Sequence, residues 1–145
     1  VIITQTNNTH TRRELENMIR KYGLENRIFL PGFKYNIHSY ISALDVFILP
    51  SIANEDMPNA INEAMLMGKP IIGSRTAGIP EQIVDGYNGF LVDPGDYDGL
   101  SFSINRVLEM DLDQRLAMGK NSKNKYMSSF SYDLAMDHYK KIYDS

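Results

Sequence analysis

Two carboxylates, Glu55 and Glu63, stand eight positions apart in the run Ser51-Ile52-Ala53-Asn54-Glu55-Asp56-Met57-Pro58-Asn59-Ala60-Ile61-Asn62-Glu63-Ala64-Met65. A carboxylate can accept two hydrogen bonds from vicinal hydroxyls, a charge-assisted pairing suited to a ribose or hexose diol. Glu55 reads as part of a loop, and Glu63 as lying about a turn inside the helix that follows. Asn59 reads as the cap of that helix, so the N–H groups of Asn59, Ala60 and Ile61 point out from its start. Unpaired amides and the positive end of a helix dipole suit phosphate, whereas the glutamates themselves would repel it. The combination favours a ligand carrying both phosphate and sugar hydroxyls, with a sugar on each side held by one glutamate. Spacing alone fits equally well with two solvated carboxylates, one on a loop and one on a helix surface.

The elements around the pair give it a setting. Asp45-Val46-Phe47-Ile48-Leu49-Pro50 reads as a buried strand, and open α/β sheets bind ligands at the carboxyl ends of such strands. Other short apolar runs read as strands at Val1 to Thr4, Arg27 to Leu30, Pro70 to Gly73 and Gly89 to Val92. Between them lie helical patterns. Thr11-Arg12-Arg13-Glu14 has capping-box spacing ahead of Leu15, Met18, Ile19 and Tyr22, with Gly23 as the stop. Further helices are expected from Ile37 to Ala43, from the glutamate loop to Gly68, near Glu81 to Val84, and in three segments starting near Asp96, Asp113 and Ser131. Apolar strands alternating with amphipathic helices imply an α/β fold, a Rossmann-like parallel sheet with helices on both faces and three helices at the C-terminal end.

Bulk properties narrow the function classes. The chain has 145 residues, 43% hydrophobic and 23% charged, a size and composition that fit one domain with a sizeable core. A net charge of −3 without a dense Lys/Arg cluster argues against nucleic acid as a partner. Lys120, Lys123 and Lys125 read as a solvated helix face. The absence of cysteine excludes disulfides and thiolate metal sites, and no apolar run approaches the roughly 20 residues of a membrane span, so a cytoplasmic location is expected.

From Leu49 to Asp96 the sequence resembles the donor-binding, C-terminal half of GT-B retaining glycosyltransferases of family four, the group 1 type. The resemblance rests on Pro50-Ser51, the spacing of Glu55 and Glu63, Glu63-Ala64-Met65 with Gly68-Lys69-Pro70, Gly78-Ile79-Pro80-Glu81, and Asp85-Gly86-Tyr87-Asn88-Gly89-Phe90-Leu91-Val92. It implies transfer of a hexosyl unit from a nucleotide-diphosphate sugar (UDP, GDP or ADP) to a glycan or lipid-linked acceptor, as in polysaccharide biosynthesis. By the same implication Glu63 holds the ribose hydroxyls and Glu55 contacts the transferred sugar, positioning it and stabilising charge. Backbone N–H groups at Met57, Asn59, Ala60 and Ile61 would bind sugar and diphosphate, and the base would lie near Gly32, Phe33 and Lys34. Arg75 is the cation nominated within this chain, and relatives commonly work without a bound metal, so no cofactor is required.

The resemblance also implies what lies elsewhere. Residues 1–145 are expected to be one donor-binding domain. The acceptor domain and a first strand-turn unit are expected to be missing, so the chain is expected not to transfer sugar alone. In the full-length protein that other half would bind acceptor and could place the protein at the inner face of a membrane. Pro58 stands where many relatives have glycine and removes one donor, and Gln5-Thr6-Asn7-Asn8 replaces a glycine-rich turn. Two alternatives share the pattern: a GT-B sugar-nucleotide epimerase, and a non-catalytic sugar-nucleotide-binding subunit. Asp96-Tyr97-Asp98 and Asp111-Leu112-Asp113 mimic an Asp-x-Asp metal motif but precede helices, where Asp is a favoured cap. His10, His38 and His138 have no metal or triad spacing. The oligomeric state is unspecified.

Overall fold

The computed structural model describes residues 2–3, 9–52 and 56–143, and the chain divides into two units, Val1–Ile37 and His38–Ser145. The first unit holds β1 (Ile2–Ile3), α1 (Thr9–Lys21) and β2 (Ile28–Phe29). β1 and β2 pair in parallel, Ile2 opposite Ile28 and Ile3 opposite Phe29. Gly23, at φ +63°, takes the left-handed conformation that ends α1. Thr11 lies inside α1 rather than at its cap, since the helix already runs from Thr9; the capping-box expectation at Thr11 to Glu14 is corrected accordingly. Of the expected apolar face, Ile19 is buried while Met18 and Tyr22 are exposed.

The second unit continues with α2 (Ile37–Ser42), β3 (Phe47–Leu49), α3 (Asn59–Leu66), β4 (Ile71–Ser74), α4 (Ile79–Gln82) and β5 (Gly89–Val92). Three longer helices follow: α5 (Tyr97–Glu109), α6 (Leu112–Ser129) and α7 (Tyr132–Tyr143). The strands form a parallel sheet in the order β3-β4-β5, with Phe47 beside Ile71 and Ile71 beside Gly89. Parallel strands need crossover connections, and α3 and α4 supply them.

Burial explains the sheet's sequence. All four β4 residues are buried, as expected of a central strand covered on both faces. Alternation sends Ile72, Phe90 and Val92 into one cluster with Val107 of α5, joined by Ile48, Leu100 and Ile104. Gly73 points the other way: a Cβ there would meet Ile83 at 2.6 Å and Ile79 at 2.9 Å, with Ile61 of α3 at 3.8 Å. The helices therefore press so closely on that face that β4 has no room for a side chain at Gly73.

Helix ends follow local chemistry. Asp96 accepts from the Gly99 amide at the start of α5, and Asp111 forms a reciprocal capping box with Gln114 at the start of α6. These are the capping roles the sequence suggested for both Asp-x-Asp runs. α4 begins at Ile79, earlier than expected, because Pro80 is accommodated in a first helical turn. α6 rests on the turn that ends α3: a Cβ on Gly119 would fall inside contact distance of the Gly68 carbonyl oxygen. Lys120 and Lys123 are exposed, while Lys125 lies 5.6 Å from the Phe130 ring centre. Among the described residues no helix is long and apolar enough to cross a membrane.

Candidate functional site

At the carboxyl end of β3 the chain leaves the sheet and returns as α3 after Pro58. Pro58 itself is the cap residue, in extended conformation (φ −67°, ψ 121°) and without a side-chain cap bond. Asn59 is the first helical residue, which corrects its expected role as cap. Ile61 is fully buried, and its amide donates to the Pro58 carbonyl at 3.1 Å. The amides of Asn59 and Ala60 belong to the first turn of α3, whose N–H groups have no partner within the helix. Asn59 is exposed, Ala60 is half-buried and Met57 is 39% exposed. Glu63 lies on α3 one turn in, half-buried. Glu55 lies outside the described residues, as do Gln5, Thr6, Asn7 and Asn8.

The loop ahead of α3 is clasped by the β4–α4 connection. The Gly78 amide donates to the Asp56 carbonyl at 2.8 Å, and a Cβ on Gly78 would collide with that same oxygen. Ala77, just before it, sits at φ +43°, a left-handed conformation unusual for a residue with a side chain. Such strain persists only where the surroundings hold it. Gln82 then reaches back from α4: its Nε2 donates to the Pro58 carbonyl at 3.3 Å and to Asn62 Oδ1 at 2.8 Å. Two of the sequence motifs, Gly78 to Glu81 and the glutamate run, are thus one assembly in space.

The third motif supports the second. Asn88 is fully buried; its Nδ2 donates to the Gln82 carbonyl at 3.0 Å and its Oδ1 accepts from the Val84 amide at 2.7 Å. Ser122 of α6 donates to the Asn88 carbonyl at 3.0 Å. Asp85 Oδ1 accepts from the Leu91 amide at 2.9 Å, tying the turn to β5. In the sequence Asn88 stands out only as part of a motif, and Gln82 belongs to none. A polar residue between Ile79 and Ile83 was the available signal.

Arg75 follows β4 at the same sheet edge. Its amide donates to the Val92 carbonyl at 2.7 Å, and its guanidinium lies 3.5 Å from the Asp93 carboxylate, both side chains being exposed. Lys69 lies at the start of β4, the opposite edge, where its ammonium donates to the Ser42 carbonyl at 2.6 Å. A shallow pocket of about 200 Å³ opens where β3, β4 and β5 end, lined by Pro50, Ile52, Ser74, Val92, Asp93 and Tyr97 among others. Ile52 brings the beginning of the glutamate run into this pocket, whereas Glu63 and the first turn of α3 are not among its described lining residues. Gly32, Phe33 and Lys34 belong to the first unit. There Gly32 is at φ +68° and the Phe33 ring meets Tyr35 edge-on at 5.0 Å. Among the described residues no cluster of His, Asp and Glu could hold a metal ion.

The family model described as glycosyl transferases group 1 matches residues 6–125. The chain belongs to the group 1 glycosyltransferases. One relative of this group 1 chain, the Escherichia coli UDP-Gal:alpha-D-GlcNAc-diphosphoundecaprenol alpha-1,3-galactosyltransferase, is 35% identical over 83% of this chain and 30% of its own length. Among solved structures, Anabaena Alr3699/HepE in complex with UDP is 30% identical with a TM-score of 0.85, over 92% of this chain and 36% of that one. The C-terminal domain of the Francisella tularensis group 1 protein LpcC is 25% identical with a TM-score of 0.77, over 86% of this chain and 64% of that one. The fold is that of GT-B C-terminal domains, as the resemblance implied. The chain spans about three tenths of the galactosyltransferase and just over a third of the Anabaena protein.

Proposed function

We propose that this chain is the donor-binding portion of a nucleotide-sugar-dependent glycosyltransferase that retains anomeric configuration and transfers a hexosyl unit to a glycan or lipid-linked acceptor. The observation that carries the reading is the start of α3. Its first amides and its Glu63 sit at the carboxyl end of a parallel strand, and the Asp56–Gly78 hydrogen bond holds the approach in place. An anion over the helix start gains from the dipole and from unpaired N–H groups. Glu63, one turn in, then reaches a ribose diol as a charged acceptor. Glu55 is assigned to the transferred sugar as a positioning and electrostatic group, with the nucleotide diphosphate leaving from the face at which the acceptor arrives. No metal is needed if helix amides and basic side chains stabilise the departing diphosphate.

Solved complexes of the Anabaena neighbour with UDP and with UDP-glucose support a uridine nucleotide as the first donor to try. Since the chain spans only part of such relatives, acceptor recognition is assigned in this reading to sequence outside it. Calorimetric titration with UDP, GDP, ADP and UDP-glucose tests the proposal. Binding of one diphosphate is expected, and Glu63→Ala should weaken it roughly tenfold to a hundredfold, the loss of charge-assisted bonds to a diol. Unchanged affinity in Glu63→Ala would remove the ribose assignment. Sugar transfer by this chain alone, given donor and acceptor, would remove the assignment of acceptor recognition elsewhere.

A further inference from the structure

Behind the start of α3 the interior is polar where packing alone would favour hydrocarbon. Gln82 has 0% exposure between Ile79 at 0% and Ile83 at 1%. The Pro58 carbonyl can only accept, so the amide nitrogen of Gln82 must face it. That orientation leaves Gln82 Oε1 buried and without a donor among the described residues. An orphaned acceptor destabilises the fold, and an aliphatic side chain of similar size would avoid it. What Gln82 does gain is a grip on two points of α3: the carbonyl of its cap residue, and Asn62, the neighbour of Glu63. Its own main chain is anchored through Asn88 to Ser122 of α6, both with 0% exposure.

We infer that Gln82 is a positioning residue of the nucleotide-sugar site, setting the main chain at the start of α3 and the placement of Glu63. The inference rests on the donor-site reading of Glu63 given above. Two hydrogen bonds set against one orphaned acceptor leave Gln82 about neutral for stability, so what distinguishes it from hydrocarbon is its hold on α3. Gln82→Met gives up two hydrogen bonds, but the Pro58 carbonyl still accepts from the Ile61 amide, the partly exposed Asn62 can turn to water, and the orphaned oxygen disappears with the amide. Stability should therefore change little while the first turn of α3 loses its hold.

The test uses Gln82→Met and Gln82→Glu. The second keeps the shape, and its ionised form sets an acceptor against the Pro58 carbonyl. Three quantities are read: melting temperature, exchange of the Ile61 amide relative to that of Ile72 in β4, and affinity for UDP-glucose. The expected result for Gln82→Met is a melting temperature within about 3 °C of the parent, roughly the effect of one hydrogen bond. Ile61 exchange should rise about tenfold, and UDP-glucose should bind about tenfold more weakly. Unchanged exchange in both variants overturns the inference, whether or not the parent binds UDP-glucose. Faster exchange with unchanged affinity also overturns it, as does a loss of affinity that only tracks a large fall in melting temperature. Failure of the parent to bind any nucleotide would instead sink the donor-site reading, and with it the assignment of Gln82 to that site.

Discussion

Replacing Gly78 by alanine puts a methyl group against main chain, where nothing can rotate away. An ideal Cβ would collide with the Asp56 carbonyl oxygen and stand 3.1 Å from the Asp56 carbonyl carbon and 3.4 Å from the Met57 Cα. The backbone of Gly78 is at φ −80°, so alanine is acceptable in conformation and the whole penalty is steric. Overpacking of this kind costs about 1–3 kcal/mol. If the loop yields, the Gly78–Asp56 hydrogen bond is lost as well, about 1 kcal/mol more. A stiffer unfolded chain offsets about 0.4–1 kcal/mol of this. The net destabilisation is roughly 1.5–3 kcal/mol, which lowers the melting temperature by about 5–10 °C in a chain of this size. Because the displaced segment leads directly into α3, affinity for UDP-glucose should fall at least about tenfold even at temperatures where the variant is folded. Circular dichroism melts and calorimetric titration read the two effects. A variant melting within about 2 °C of the parent (under 1 kcal/mol at this size) and binding equally well would refute the clasp between the two loops.

Two other substitutions probe the same frame. Ala77→Gly relieves the left-handed strain at φ +43°, worth about 1–2 kcal/mol, against an unfolded-state cost of about 0.4–1 kcal/mol. The variant should melt slightly higher, and a lower melting temperature in the same circular dichroism scan would contradict that balance. Asp111→Ala removes the capping box of α6 and should cost about 1 kcal/mol in urea unfolding while leaving nucleotide affinity unchanged, since its bonds stay within the helix start.

How much was readable without coordinates depended on whether the signal was local. Gly89 to Val92 is a strand over the span expected, because a short apolar run between turn residues carries its own boundaries. Asp96 and Asp111 were readable as caps for the same reason: a cap is a contact over three residues. Thr11 failed because the same spacing recurs inside a helix, and spacing does not mark where the helix begins. Asn59 failed because a favourable cap residue followed a proline that took the cap position itself. The clasp was out of reach, since Asp56 with Gly78 and Gln82 with Pro58 are pairings set by how β3 and β4 lie side by side. Sequence showed the three motifs in order; it held no sign that the second and third are braces for the first.

One consequence of the contact between Gly119 and the Gly68 carbonyl concerns movement rather than strength. Where helices meet through long side chains, small shifts are absorbed as rotamers change. Here main chain meets main chain with no side chain interposed, so the approach of α6 to the end of α3 leaves no such slack. That helix is braced at both ends, by Gln82 at its start and by α6 at its close. A shift of α6 at this point would have to move α3 with it, because no side chain lies between them to take up the difference.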